Sequence, residues 1–178
     1  MTALTRRVLL LGVAVLAARP SHADEVTLPD PASGRMVVRF DIGPDRGSEA
    51  PPLLEIMADG RFSVRAVQPG TVRVRGRLAV GELQALVDHI VTTEGLPVIS
   101  AEEISARIDQ ISAEGGPMLM VADAPTTRLT LDLGTGQHAV TFYATGFAAR
   151  LFPQIDALQR LRRIELRLLE LAERLRGG

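Results

Sequence analysis

The chain has 178 residues, with 20 basic and 21 acidic side chains, no cysteine and no tryptophan. A hydrophobic share of 46% with a mean hydropathy of +0.16 excludes a disordered chain, which lacks the apolar area to offset ordering entropy. A formal net charge of −1 excludes a generally basic nucleic-acid binder, and the lack of cysteine excludes thiol catalysis and disulfides.

All 20 basic residues are arginine, which reads as a codon bias toward GC-rich triplets. The N-terminus reads as an address. Arg6 and Arg7 precede an apolar run of 11 residues at positions 8–18. Pro20 breaks that segment, and Ser21-His22-Ala23 places small residues where a signal peptidase reads. A spanning helix needs about 20 apolar residues, so the pattern predicts a cleaved signal peptide over residues 1–23 and no membrane span afterwards. Thr5-Arg6-Arg7-Val8-Leu9-Leu10 also resembles a twin-arginine export signal but lacks an aromatic residue after the arginine pair, which leaves the general secretion route open. A lipid anchor is excluded because no cysteine follows the apolar run. Cleavage removes Arg6, Arg7 and Arg19 and no acid, leaving 17 basic against 21 acidic side chains and a net charge of −4. The expected location is the periplasm or the medium.

Residues 24–34, with three acids and two prolines, read as a flexible leader ahead of a single domain over residues 35–178. Met36, Val38, Phe40 and Ile42 alternate with polar or smaller residues in the period of a half-buried strand. A loop over residues 43–52 follows. Strands at 53–58 and 61–67 flank Asp59-Gly60, a hairpin signal in which both turn positions are expected at positive φ. At 71–78, Val72, Val74 and Leu78 alternate with Arg73, Arg75 and Arg77.

The period then changes to 3.6. Val80, Leu83, Leu86, Val87, Ile90 and Val91 share one helical face, which Gly95 ends. A second helix is capped by Ser100 with Glu103 as its capping-box partner, buries Ile104, Ile108 and Ile111, and stops at Gly115-Gly116-Pro117. Three more strands are predicted at 118–122, 127–134 and 137–144. For the last two, a two-residue turn at Thr135-Gly136 pairs Leu133 with His138, Leu131 with Val140 and Leu129 with Phe142, keeping one face apolar. From Pro153 to about Arg176 no glycine or proline interrupts a final helix, with Leu161, Ile164, Leu168, Leu171 and Leu175 along its stripe. The width of that stripe predicts docking on its own sheet and a monomer, with a dimer through this helix as the alternative. The fold class is therefore α+β: an antiparallel meander of about six or seven strands, two central helices and a long C-terminal helix, all packed on one face.

Few residues offer chemistry. After signal removal only His89 and His138 remain as histidine bases, and neither a Gly-x-Ser-x-Gly elbow nor a His-Glu-x-x-His pair is present. Gly134-Thr135-Gly136 leads into a strand, where a dinucleotide motif needs a helix N-terminus. Asp41, Asp45 and Glu49 have the spacing of a calcium loop but lack its glycine and its last glutamate. No metal or cofactor is expected. The positive case is a row of arginines. Arg73, Arg75 and Arg77 project from one face of one strand about 6–7 Å apart, and Arg65 on the neighbouring arm extends the row. Such a row suits the anionic groups of an envelope polymer or partner protein. It lacks the aromatic residues that stack nucleic-acid bases. The opposing reading is the wet face of an antiparallel sheet in a protein whose only cation is arginine.

The succession Leu54-x-Ile56-x-x-Asp59-Gly60-Arg61, then a strand, then Glu82-Leu83-x-x-Leu86 resembles uncharacterised exported bacterial proteins built around an Asp-Gly hairpin and a following helix. The resemblance covers about a third of the chain and implies no activity, cofactor or site residue. The expected function is a non-enzymatic binding or accessory domain of the bacterial envelope. The alternative is a small periplasmic hydrolase using His138 or His89 with a carboxylate.

Overall fold

The computed structural model describes residues 26–44, 51–66 and 73–177. The expected signal peptide, the start of the leader, and the candidate calcium-loop residues Asp45 and Glu49 lie outside the described residues.

The elements run β1 (Met36–Gly43), β2 (Leu54–Met57), β3 (Arg61–Arg65), β4 (Arg73–Arg77), α1 (Val80–Asp88), α2 (Ala101–Ala113), β5 (Thr126–Asp132), β6 (Gln137–Tyr143), α3 (Thr145–Leu151) and α4 (Asp156–Gly177). The six strands form one sheet in the order β4-β3-β2-β1-β5-β6, and every neighbouring pair is antiparallel. This is the expected α+β architecture.

Period-2 alternation decides which face is covered. Val38, Phe40, Leu54, Ile56, Val64, Leu129, Leu131, Val140 and Phe142 are buried from the strands. They form a single core with Leu83, Val87 and Ile90 from the first helix and its extension, Ile104 and Ile108 of α2, and Leu158, Leu161, Ile164, Leu168 and Leu171 of α4. Fully burying each such side chain contributes about 1.5–3 kcal/mol. The helices take one side of the sheet, with α4 against β3 and β4 and α2 against β6. Among the described residues the opposite side is left open, with Arg39, Arg61, Arg75 and Arg77 exposed.

Local chemistry sets several element ends differently from the sequence pattern. The Asp59-Gly60 hairpin closes with Gly60 N–H donating to Met57 O at 2.9 Å, and only Gly60, at φ +83°, has positive φ. The turn therefore uses one left-handed glycine, where the sequence suggested positive φ at both positions. Gly60 also lies against β4's exit: a Cβ there would sit 2.6 Å from the Leu78 carbonyl oxygen. In the β5–β6 hairpin Leu133 N–H bonds to Gly136 O, so the two-residue turn is Gly134-Thr135, with Gly134 at φ +81°. Leu131 therefore faces His138, Leu129 faces Val140, and Thr127 faces Phe142. Moving the turn by one residue shifts the register by two, so the same side chains stay inside.

The strand expected at 118–122 does not form. Met118 and Met120 are exposed and Leu119 and Val121 half-buried, so the alternation is real. No backbone ladder accompanies it, and the Val121 carbonyl is taken instead by the Tyr143 hydroxyl at 3.0 Å. Alternation without a neighbouring strand yields an extended segment only.

The first helix runs from Val80 to Asp88 and continues as a π-helical turn over His89–Thr93, with Gly95 at φ +65° behind it. Val80 sits at its exposed first turn instead of on the buried face. Ser100 caps α2 by accepting from Glu103 N–H at 3.2 Å, but its own hydroxyl donates to Glu102, so the expected reciprocal box is half made. The short helix α3, which the sequence pattern does not announce, follows Ala144 at φ 56°. The C-terminal helix then starts at Asp156 instead of Pro153, after a turn in which Ile155 N–H bonds Phe152 O.

Candidate anion-binding face

The open side of the sheet collects the alternate residues of its strands. The registers place Arg65 opposite Arg73, Ser63 opposite Arg75, and Arg61 opposite Arg77. They also place Glu55 opposite Ser63 and opposite Arg39. Like charges set directly across two strands repel, so the face is stable only where carboxylates intervene.

Those carboxylates divide the arginines into classes. Arg73 lies over β2, with its Nη2 2.9 Å from Glu55 Oε2, and it donates to the carbonyls of Ser63 at 3.0 Å and Pro52 at 3.3 Å. Its side chain is only 12% exposed. Arg65 is bound to Asp41 at 3.3 Å and to the carbonyls of Pro51 and Ile42. Arg61 and Arg77 share Asp59, at 2.7 and 3.4 Å. The Arg61 backbone N–H first, and then the Arg61 side chain and the Arg61 and Arg77 charges, hold the Asp59 carboxyl below its ordinary value, outweighing the opposing effect of desolvation. Arg75 is exposed and, among the described residues, has no carboxylate in ion-pair reach. The same holds for Arg39.

The row read from the sequence is therefore present on one face but is not four equal cations. Arg65 and Arg73 are structural ties between strands, Arg77 is shared, and Arg75 is free to meet a ligand. Sequence reasoning missed Arg39 and Arg61 on the same face. Their signal was available in the alternation of β1 and in the hairpin register. Arg39, Glu55, Ser63 and Arg75 form one cross-strand line, its ends three strand spacings or about 14 Å apart. A shallow depression of about 340 Å³ lies toward the Arg75 end of this line, lined by Glu55, Met57, Arg61, Phe62, Ser63, Arg75 and Gly76. The Arg61 and Arg75 guanidinium groups and the Ser63 hydroxyl in this lining suit a carboxylate or phosphate, and the Glu55 carboxylate opposes one.

The two histidines are not brought together. His138 stands opposite Leu131 near the hairpin turn. His89 Nε2 is 3.6 Å from Oε1 of Glu94, a carboxylate that is 4% exposed. Arg163 grips both oxygens of Glu94 through Nε at 3.0 Å, with Nη2 at 2.9 Å, and the bond to Glu94 raises the Arg163 pKa. Through this carboxylate Arg163 ties α4 to the π-helical turn, with His89 beside the same group. A second buried glutamate, Glu165, accepts from the Thr127 hydroxyl at 2.6 Å and pairs with Arg162, while Thr145 donates to Thr127 at 2.9 Å. Neither glutamate was singled out by the sequence pattern. Among the described residues no cluster of three or more His, Asp or Glu side chains could hold a metal, and no helix is long and apolar enough to cross a membrane.

Comparison of the chain with protein-family models, with curated proteins and with solved structures gives no match.

Proposed function

We propose that the protein is an exported, non-enzymatic binding or accessory domain of the bacterial cell envelope, and that the open sheet face holds anionic groups of an envelope protein or polymer. The observation that carries this reading is the pair Arg39 and Arg75, exposed on one cross-strand line and without a carboxylate partner among the described residues. Every other arginine of β3 and β4 is engaged by Asp41, Glu55 or Asp59. Unneutralised guanidinium groups favour a ligand that brings its own negative charge.

Export and binding are tested separately. N-terminal sequencing of protein recovered from the periplasm or medium is expected to begin at Asp24; an intact Met1 start in the membrane fraction contradicts export. The tagged, processed protein is then passed over immobilised polyglutamate and immobilised polyphosphate. Retention that is released as salt rises supports the anion reading, because screening acts strongly on exposed charges. Passage through both columns at low salt contradicts it.

A further inference from the structure

The two outermost strands carry different sequences along their free edges. β4 reads Arg-Val-Arg-Gly-Arg, whereas β6 reads Gln-His-Ala-Val-Thr-Phe-Tyr and contains no Asp, Glu, Lys, Arg or Pro. An open edge displays unpaired N–H and C=O groups, and natural sheets blunt such edges with charge, proline or bulges. β6 has none of these devices.

The direction of its backbone groups follows from the two ends of its ladder. Leu133 N–H bonds Gly136 O at 3.1 Å, and Ala144 N–H bonds Pro125 O at 2.9 Å. Bonded and non-bonded pairs alternate along an antiparallel ladder. His138, Val140 and Phe142 therefore bond inward to Leu131, Leu129 and Thr127. Gln137, Ala139, Thr141 and Tyr143 turn their N–H and C=O groups to the open edge. Among the described residues no backbone hydrogen bond from outside the sheet reaches them.

Beside this edge runs a cleft of about 450 Å³ between α2 and β6. Ile108, Leu119 and Phe142 supply its apolar lining, and Glu102 and Asp109 stand on the helix wall. An added strand places alternate side chains over such a cleft while its backbone extends the ladder.

We propose that β6 and this cleft form a strand-addition site for an extended basic segment of a partner protein, with an apolar side chain in the cleft and an arginine or lysine reaching Glu102 and Asp109. The charges select this occupant over a second copy. Two-fold pairing of β6 with its own copy sets the acidic walls of two α2 helices against each other, an arrangement that repels. The site is independent of the open-face arginines, so either proposal can fail alone.

The probe is a fluorescent seven-residue peptide, Thr-Arg-Thr-Val-Thr-Arg-Thr, matched in length to β6 and carrying its valine and both arginines on one face, toward the cleft. Titration into the full chain is expected to give saturable anisotropy, and amide exchange at Ala139 and Thr141 is expected to slow about tenfold, as one shared hydrogen bond of ordinary net strength implies. The same peptide N-methylated at alternate residues is expected to bind about tenfold more weakly. Ala139→Pro removes an outward N–H and no ladder bond, which edge strands tolerate, and is expected to abolish binding while leaving the melting transition in place. Glu102→Gln with Asp109→Asn is expected to weaken binding about threefold. Equal binding of the methylated and unmethylated peptides overturns the proposal, and this comparison holds even if the proline variant fails to fold. Edge amides that exchange slowly in the free chain also overturn it. So does a concentration-dependent dimer that Ala139→Pro dissolves, since that assigns the edge to a second copy.

Discussion

The two faces of the sheet both carry arginine–carboxylate pairs, and the pairs differ in kind. On the covered face, Glu94 and Glu165 are almost wholly buried and are met by the consecutive residues Arg163 and Arg162 of α4. On the open face, Asp41, Glu55 and Asp59 are partly exposed and are shared among more arginines than they can neutralise. Burial makes the first set indispensable, because a lone charge there has no water to fall back on. Solvent makes the exposed members of the second set, Arg61 and Arg77, adjustable at small cost, while the more buried Arg65 and Arg73 tie strands together. Arg163 thus ties α4 to the π-helical turn and Arg162 neutralises Glu165 within α4, while arginine on the other side of the sheet remains available for recognition.

The sharpest way to break this contrast is to remove a buried partner. Arg162→Met leaves the Glu165 carboxylate with only the Thr127 hydroxyl and is expected to destabilise the domain by about 3–5 kcal/mol in urea unfolding. A loss below about 1 kcal/mol, the range of exposed pairs, equates the two faces. Next come neutral side chains on opposite sides of one strand. Leu129→Ala and Leu131→Ala are each expected to cost about 2–5 kcal/mol, as core truncations do. Thr130→Ala between them is expected to cost less than half as much, and equal losses at all three positions contradict the assigned faces.

Much of this was legible in the sequence for one physical reason: inside and outside follow from a period of two or 3.6, and periods survive small errors of position. The β5–β6 turn lies one residue earlier than its glycine pattern suggested, yet Leu129 and Leu131 stay buried because the register moves by two. The strand at 118–122 shows the limit of that reasoning. Its alternation is present, but strand formation needs a neighbour, and no local pattern encodes one. The helix α3 is only seven residues long and begins after an alanine in the left-handed region, too short to impose a period. The open-face arginines were located correctly on their strand, but their partners Asp41 and Glu55 come from other strands and required the register. Glu94 was hidden by the π-helical turn, in which its N–H bonds His89 O five residues back and swings its side chain under α4.

Within the open face the contrast continues on a smaller scale. Arg73→Gln breaks the bond to Glu55 and leaves two strand carbonyls unmet, and is expected to cost about 1–2 kcal/mol. Arg75→Gln touches no partner among the described residues and is expected to stay within about 0.5 kcal/mol of the parent. Paired chemical denaturation of the two variants checks this ordering, and a reversal shows that the neutralised and free arginines have been misassigned.

The central claim is that the arginines without carboxylate partners bind anions while those with partners hold the sheet together. Its most direct test is the affinity for inorganic polyphosphate, measured by calorimetry across a series of salt concentrations, for the parent and for the double variant Arg39→Gln, Arg75→Gln. The account predicts an unchanged melting transition, an affinity about tenfold lower at low salt, and a shallower dependence of affinity on salt. A double variant that binds polyphosphate with the parent's affinity and the parent's salt dependence contradicts it.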